Sequence, residues 1–283
     1  MTSLSLSLAR GALTSPFKRA GRPGATLPAR HEVLPAHRIA PGPLAAYREV
    51  CGFSGTGTLP LTYPHVLGFP LAMRLMTARD FPLPVLGLVH TWIEITAHRG
   101  TRPTDELELT VYAAELTPHR RGTEVTMVTE ARIAGELVWE SRSGYLARHR
   151  TEAGARSAPS GAADRPPSSA PGLPAVAEWR LPTDLGRRYG AASGDRNPIH
   201  LHPLTARLFG FPRHIAHGMW TVARCLAEAG HGPGGTSGIR SVRADFRAPV
   251  LLPSTVTYAA GGTAFEVRGG ERVHLTGSVA RLE

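Results

Sequence analysis

Lysine is almost missing from this 283-residue chain: Lys18 is the only one, so the basic balance of 32 Lys+Arg against 22 Asp+Glu is carried by arginine. Aromatic residues are scarce at 6%, and there are two cysteines, Cys51 and Cys225. No apolar run approaches the ~18 residues that a membrane-spanning helix needs. Each shortage removes a class of function. Nucleic-acid grooves interleave aromatics with clustered cations, whereas these arginines are scattered, so no nucleic-acid partner is expected. Two cysteines in unrelated contexts, with no C-x-x-C, make neither a thiolate metal site nor a disulfide framework. They suit a reducing compartment, and cytoplasm is the expected location, with no membrane partner. The arginine excess has two readings: the bias of an Ala-, Gly- and Pro-rich coding sequence, or an anionic partner such as a phosphorylated cofactor or an acidic carrier protein.

What is present describes a soluble globular protein, 42% hydrophobic and 19% charged, long enough for one large core or two ordinary ones. Residues 1–30 hold no acid and read as an N-terminal tail. The stretch 151–174, TEAGARSAPSGAADRPPSSAPGLP, is too poor in apolar residues to offset its ordering entropy; it reads as a linker. Between tail and linker, residues 31–150 contain a turn feeding a helix (Tyr63–Thr77) and four alternating, β-branched-rich segments: Leu88–Arg99, Glu106–Leu116, Thr123–Ile133 and Leu137–Arg148. Residues 175–283 repeat the order. Pro182–Ala192 suits a short helix capped by Thr183, another helix is expected near Leu204–Phe209, and a third over Gly218–Ala229. Strands are expected at Ile239–Phe246, Thr255–Ala260, Ala264–Val267 and Arg272–Arg281. The stretch His231–Gly238 reads as a flexible connection. Tyr47-Arg-Glu-Val-Cys-Gly52 matches Tyr189-Gly-Ala-Ala-Ser-Gly194 in its Tyr-to-Gly spacing, and Phe69-Pro70 falls near the position of His217-Gly218. Two copies of one unit, fused through a linker, is the economical inference.

Chemistry concentrates in Tyr189–Trp220, YGAASGDRNPIHLHPLTARLFGFPRHIAHGMW. Pro198 disfavours helix at Asn197, and the Asx residues favour a turn, so a sharp bend can bring Asp195 and His200 to one point. A carboxylate beside an imidazole can hold one water, one group taking a proton and the other giving one. Farther on, His217-Gly218-Met219 falls where a helix should begin. Its unpaired first-turn N–H groups, with no Cβ on Gly218 to obstruct approach, are what an oxyanion hole requires. His200, His202, His214 and His217 have spacings compatible with a metal cluster, but no cysteine and few acids stand nearby; no metal and no cofactor are expected.

Taken together, Y-x4-G-D-x-N-P-I-H followed after sixteen residues by H-G-M resembles the MaoC-like (R)-specific enoyl-thioester hydratase/dehydratase family, in its fused double-hotdog form. The likeness extends from about His31 to Glu283 and includes Pro60-Leu-Thr-Tyr-Pro64, Gly68-Phe-Pro70 and Asp80-Phe-Pro82. That resemblance implies an α+β fold of two hotdogs, each a long helix wrapped by a curved antiparallel sheet. It implies reversible hydration of trans-2-enoyl thioesters to (R)-3-hydroxyacyl thioesters. Asp195 and His200 would be the catalytic pair, Asn197 would fix the turn and help polarise the site, and Gly218 N–H would receive the thioester oxygen. Asp195 is expected as base towards water and His200 as proton donor to Cα. His217, Met219, Arg213 and Arg207 are the substrate-binding candidates, the arginines for the phosphates of an acyl-CoA or acyl-carrier-protein substrate; Arg240 and Arg243 are weaker candidates. In the first half the stretch Phe53–Pro60 that follows Gly52 has no Asp, Asn or His where the second half has them, so this half is expected to be catalytically silent, its Leu71, Met73 and Met76 either lining an acyl channel or packing in the core. A homodimer is compatible with this plan. The competing expectations are a hotdog thioesterase and a non-catalytic acyl-thioester binding module.

Overall fold

The computed structural model describes residues 18, 20–22, 24–151, 172–230 and 238–281. The expectations for most of the N-terminal tail, of the linker and of the His231–Gly238 connection therefore lie outside the described residues. The first half runs β1 (Glu32–Arg38), α1 (Pro41–Cys51), α2 (Tyr63–Thr77), β2 (Leu88–Ala97), β3 (Glu106–His119), β4 (Gly122–Ile133) and β5 (Glu136–Arg148). The second runs β6 (Ala175–Leu181), α3 (Leu185–Ser193), α4 (Pro198–Leu201), α5 (Pro203–Leu208), α6 (Gly218–Ala229), β7 (Ile239–Phe246), β8 (Ser254–Gly261), β9 (Ala264–Gly269) and β10 (Arg272–Arg281).

All ten strands form one antiparallel sheet, in the order β1-β3-β4-β5-β2-β7-β10-β9-β8-β6. Read outwards from its centre, each half has the same strand order, and β2 pairs with β7 across the middle, Glu94 opposite Arg243. The arrangement is a double hotdog, α+β as the resemblance implied. Alternation makes the sheet one-sided: in β3, Leu107, Leu109 and Val111 are fully buried between less buried neighbours. α2 packs against β1, β3 and β4, and Leu71, Leu75 and Met76 on it are buried. In the second half α6 buries Trp220, Val222, Cys225 and Leu226.

The internal repeat is visible in space. α1 and α3 pack together with Tyr47 and Tyr189 rings 6.0 Å apart. Each helix ends in a left-handed glycine, Gly52 at φ 82° and Gly194 at φ 78°, a conformation that a side chain resists. One pairing from the sequence shifts. Phe69-Pro70 lies inside α2, well past its start at Tyr63, because Pro64 fits the first turn, where the N–H has no helical partner. Thr183 does not cap α3; Asp184 precedes it, without a side-chain cap bond. β1, α1 and β6 were not foreseen. β1 contains Pro35, which argues against a strand, but it is an edge strand with a register shift between Leu34 and His37, where proline is tolerated.

Candidate active site

The turn after α3 is built by its own side chains. Asn197 N–H donates to Asp195 Oδ1 at 3.1 Å, and Asn197 Oδ1 accepts from Ile199 N–H at 3.3 Å, capping α4 with Pro198 in its first turn. This places His200 one helical turn later. Two glycines on one face of α3, not singled out in the sequence, let this turn lie directly on the helix. A Cβ at Gly186 would come 1.9 Å from the His200 carbonyl oxygen, and one at Gly190 would come 2.8 Å from that of Asp195. The G-x-x-x-G spacing, Gly186 to Gly190, was the available signal.

A carboxylate oxygen of Asp195, a ring nitrogen of His200 and one of His217 all lie within 4.8 Å of one another. His200 is buried, and Asp195 keeps 25% of its side chain exposed, towards the cavity. His200 Nδ1–H donates to the Ile215 carbonyl at 2.8 Å; a carbonyl only accepts, so the proton of the neutral ring is on Nδ1 and Nε2 carries a lone pair. His217 Nε2–H donates to the Asp195 carbonyl at 3.0 Å, and its ring stacks on His200 with centroids 3.7 Å apart. Tyr189 packs against the His217 ring, with centroids 4.8 Å apart. Burial raises the Asp195 pKa, with the charge of His200 and the Asn197 N–H acting the other way. Burial lowers that of His200, and Asp195 opposes it. Desolvation thus drives both groups towards their uncharged forms, a carboxylic acid beside an imidazole. His217 is pushed well below the imidazole range by burial and then by His200.

Asp195, His200 and His217 are close enough together to suggest a metal site. However, each imidazole has one nitrogen committed to a carbonyl, and the two rings stack only 25° from parallel. Their remaining lone pairs therefore lie in near-parallel planes and do not converge on one ion.

Gly218 opens α6, after His217 at the N-cap position. Its N–H has no acceptor within the helix, and the positive end of the helix dipole stands behind it. A Cβ at this position would meet the Phe246 ring at 2.7 Å. Glycine is required for that ring to close over the helix start.

Asp195, Asn197, His200, His217, Gly218 and Met219 all line one cavity of about 720 Å³. Its opposite wall comes from the first half, where the sequence pointed to the helix carrying Met73 and Met76 but not to the strands. His90 of β2 lies opposite Tyr145 of β5 in the strand register, their rings stack 4.5 Å apart, and Phe246 packs 4.7 Å from His90. The cavity continues along Phe69, Met73, Met76, Val85, Leu88 and Val89. Met73 and Met76 thus belong to the channel, whereas Leu71 is buried core outside its lining. Arg207 and Arg213 are not brought into it. Both are exposed, bonding the carbonyls of Pro212 and Pro253; the cavity-lining arginines are Arg121, Arg148, Arg196 and Arg247. Arg243 is committed elsewhere, stacked 4.1 Å over Trp92 and paired with Glu94 and Asp245. Arg240 is exposed and outside the lining.

A helix-start amide, an acid–imidazole turn and a channel between two hotdogs define a double-hotdog protein whose halves share one cavity. Residues 165–279 match the MaoC-like domain family. Over 266 residues the chain is 39% identical to 3-hydroxyacyl-thioester dehydratase X of Mycobacterium tuberculosis, covering 90% of this chain and 91% of that protein. The crystal structure of HtdX of Mycobacterium tuberculosis superposes with a TM-score of 0.74 at 34% identity, covering 89% of this chain and all (100%) of that one. Another Mycobacterium tuberculosis protein, described as a double hotdog fold, superposes with a TM-score of 0.53 at 14% identity, covering 92% and 99%, and bears on the fold alone. The chain belongs to the MaoC-like dehydratase family.

Proposed function

We propose that the protein catalyses the reversible dehydration of (R)-3-hydroxyacyl thioesters to trans-2-enoyl thioesters, with coenzyme A or an acyl carrier protein as thiol carrier. The observation that carries this reading is one cavity holding Asp195, His200 and the Gly218 N–H and continuing as an apolar channel. The α-proton of a thioester is weakly acidic, so its removal requires negative charge to be stabilised on the carbonyl oxygen. An amide at a helix start supplies that, and one such donor is typically worth about 2.7–4 kcal/mol.

We give the pair the roles expected for it, written here in the dehydration direction. With Nδ1–H held by Ile215, neutral His200 has a lone pair at Nε2 and no proton to give there. In dehydration His200 Nε2 takes the α-proton, electron density moves to the thioester oxygen at Gly218, and the Cβ–O bond breaks as Asp195 protonates the departing hydroxyl. Water leaves, and the proton on His200 returns to Asp195 to reset the pair. Hydration is the reverse: the proton passes from Asp195 to His200, Asp195 takes a proton from water as its oxygen attacks Cβ, and His200 returns its proton to Cα. Asn197 holds the turn, and His217 braces the His200 ring and the Asp195 backbone. We assign the chemistry to residues 175–283 and the channel wall to residues 31–150. Among the described residues no helix is long and apolar enough to cross a membrane, and both cysteines are buried free thiols, in keeping with a cytoplasmic enzyme.

A 3-hydroxyacyl-CoA panel of increasing chain length tests the reading. Enoyl absorbance should appear with no free thiol released. Thiol release without enoyl formation would instead identify a thioesterase, and binding without conversion an acyl-thioester binding module.

A further inference from the structure

Three of the six large hydrophobic side chains exposed among the described residues lie together on α5 and its end: Leu204 at 62%, Leu208 at 83% and Phe209 at 40%. Leu204 and Leu208 are one helical turn apart and share a face. Phe209 also lines the cavity, so this apolar ridge is continuous with the cavity rim. The first half has no counterpart of α4 or α5: its path from α1 to α2, residues 52–62, carries no helix.

The segment that carries the ridge, residues 196–213, has three arginines, Arg196, Arg207 and Arg213, and no acid. Arg187, Arg207 and Arg213 are exposed, and each bonds a backbone carbonyl, those of Leu201, Pro212 and Pro253. Arg196 stands in the cavity wall. None of the four pairs with a carboxylate among the described residues. A nucleotide could use these cations, but its phosphates offer nothing to cover Leu204 and Leu208. A second copy of the chain placed symmetrically would set arginine against arginine. The complement is a protein surface with apolar side chains ringed by carboxylates.

Resting on the thioester reading above, we propose that the α5 ridge is the docking surface for an acidic acyl carrier protein that delivers the substrate into the cavity beside Phe209. The same 3-hydroxyacyl group, carried on an acyl carrier protein and on coenzyme A, tests this in the wild type, Leu208→Glu and Arg187→Glu. Both variants should lower kcat/KM for the carrier-borne substrate about tenfold, mainly through KM, and leave the CoA substrate within about twofold. Equal losses on both substrates, or none on the carrier protein, overturn the docking surface. So does a wild-type dimer that Leu208→Glu dissociates, or Leu208-dependent binding to anionic vesicles, if carrier kinetics stay unchanged. A wild type that converts neither substrate overturns the dehydratase reading itself; one that converts both while Leu208→Glu behaves normally overturns the docking surface alone.

Discussion

The two hotdogs share one strand order and one pair of Tyr–Gly helix ends, yet they treat the same place differently. In the second half, the loop after α3, the end of β7 and α2 of the other half bound a cavity of about 720 Å³. The matching elements, the loop after α1, the end of β2 and α6, bound a space of about 50 Å³ lined by Phe53, Leu59, Leu61, Trp139 and Leu226. Trp139, 1% exposed, helps to wall this space and donates from Nε1 to the Leu61 carbonyl at 2.8 Å. The path through residues 52–62 is under half as long as that through residues 194–217, leaving no room for the turn that carries an acid and an imidazole. One copy became a packed core and the other a pocket; the first still contributes to the pocket through His90, Tyr145 and the α2 channel. A duplicated fold can therefore divide labour without separating, because each site is walled by both copies.

Four experiments can break or sharpen this contrast. Asp195→Asn and His200→Gln should each lower turnover by about 10²–10⁴-fold with melting temperature little changed; near-normal turnover by either would remove the second half's claim to the chemistry. Trp139→Ala should destabilise the protein by about 3–5 kcal/mol, through a cavity and an orphaned Leu61 carbonyl, measured by urea unfolding. A loss below about 1 kcal/mol would show that the closed site is not well packed.

His65, at 8% exposure and bonded through Nδ1 to Ser141 Oγ, is held neutral by burial, its pKa lowered to about 4. An unfolded chain takes up that proton near 6.5, so stability is full above that value and falls as pH drops towards about 4, by roughly 3 kcal/mol at most. His90, lowered to about 3 by burial and by His65, acts in the same direction. Urea midpoints between pH 7 and 4 should show the decline, and His65→Leu should flatten it; an equal slope in the variant assigns the effect elsewhere. Smallest is Gly218→Ala, whose Cβ would press on Phe246. Turnover should fall about tenfold and recover in part when Phe246→Leu is added, since the helix-start N–H is retained. Failure of the second change to help would place the fault in the amide itself.

Much of the fold was legible. Alternating β-branched segments marked eight of the ten strands, because a half-buried strand shows its period directly. The misses were edge strands: β1 interrupted by Pro35, and β6 emerging from a Pro-rich stretch. α1 was missed because Gly42 and two prolines precede its apolar face. The acid–imidazole turn was legible because its geometry is local: Asn197, Pro198 and the αL glycine Gly194 bend the chain by themselves. Arg207 and Arg213 were chosen for closeness in sequence, which does not say which way a side chain faces, and neither lines the cavity.

By itself, then, the sequence determined most of the elements, the duplication and the acid–imidazole turn, all of which follow from interactions between residues near one another in the chain. Only the tertiary structure decided which copy keeps a cavity, that His90 and Tyr145 line the cavity of the other copy's acid, that His217 stacks on His200 and bonds the Asp195 carbonyl, and which nitrogen of His200 carries the proton. Each of these depends on groups brought together from distant parts of the chain by the shared sheet or by the packing of a loop against a helix. No local pattern of residues records such partnerships.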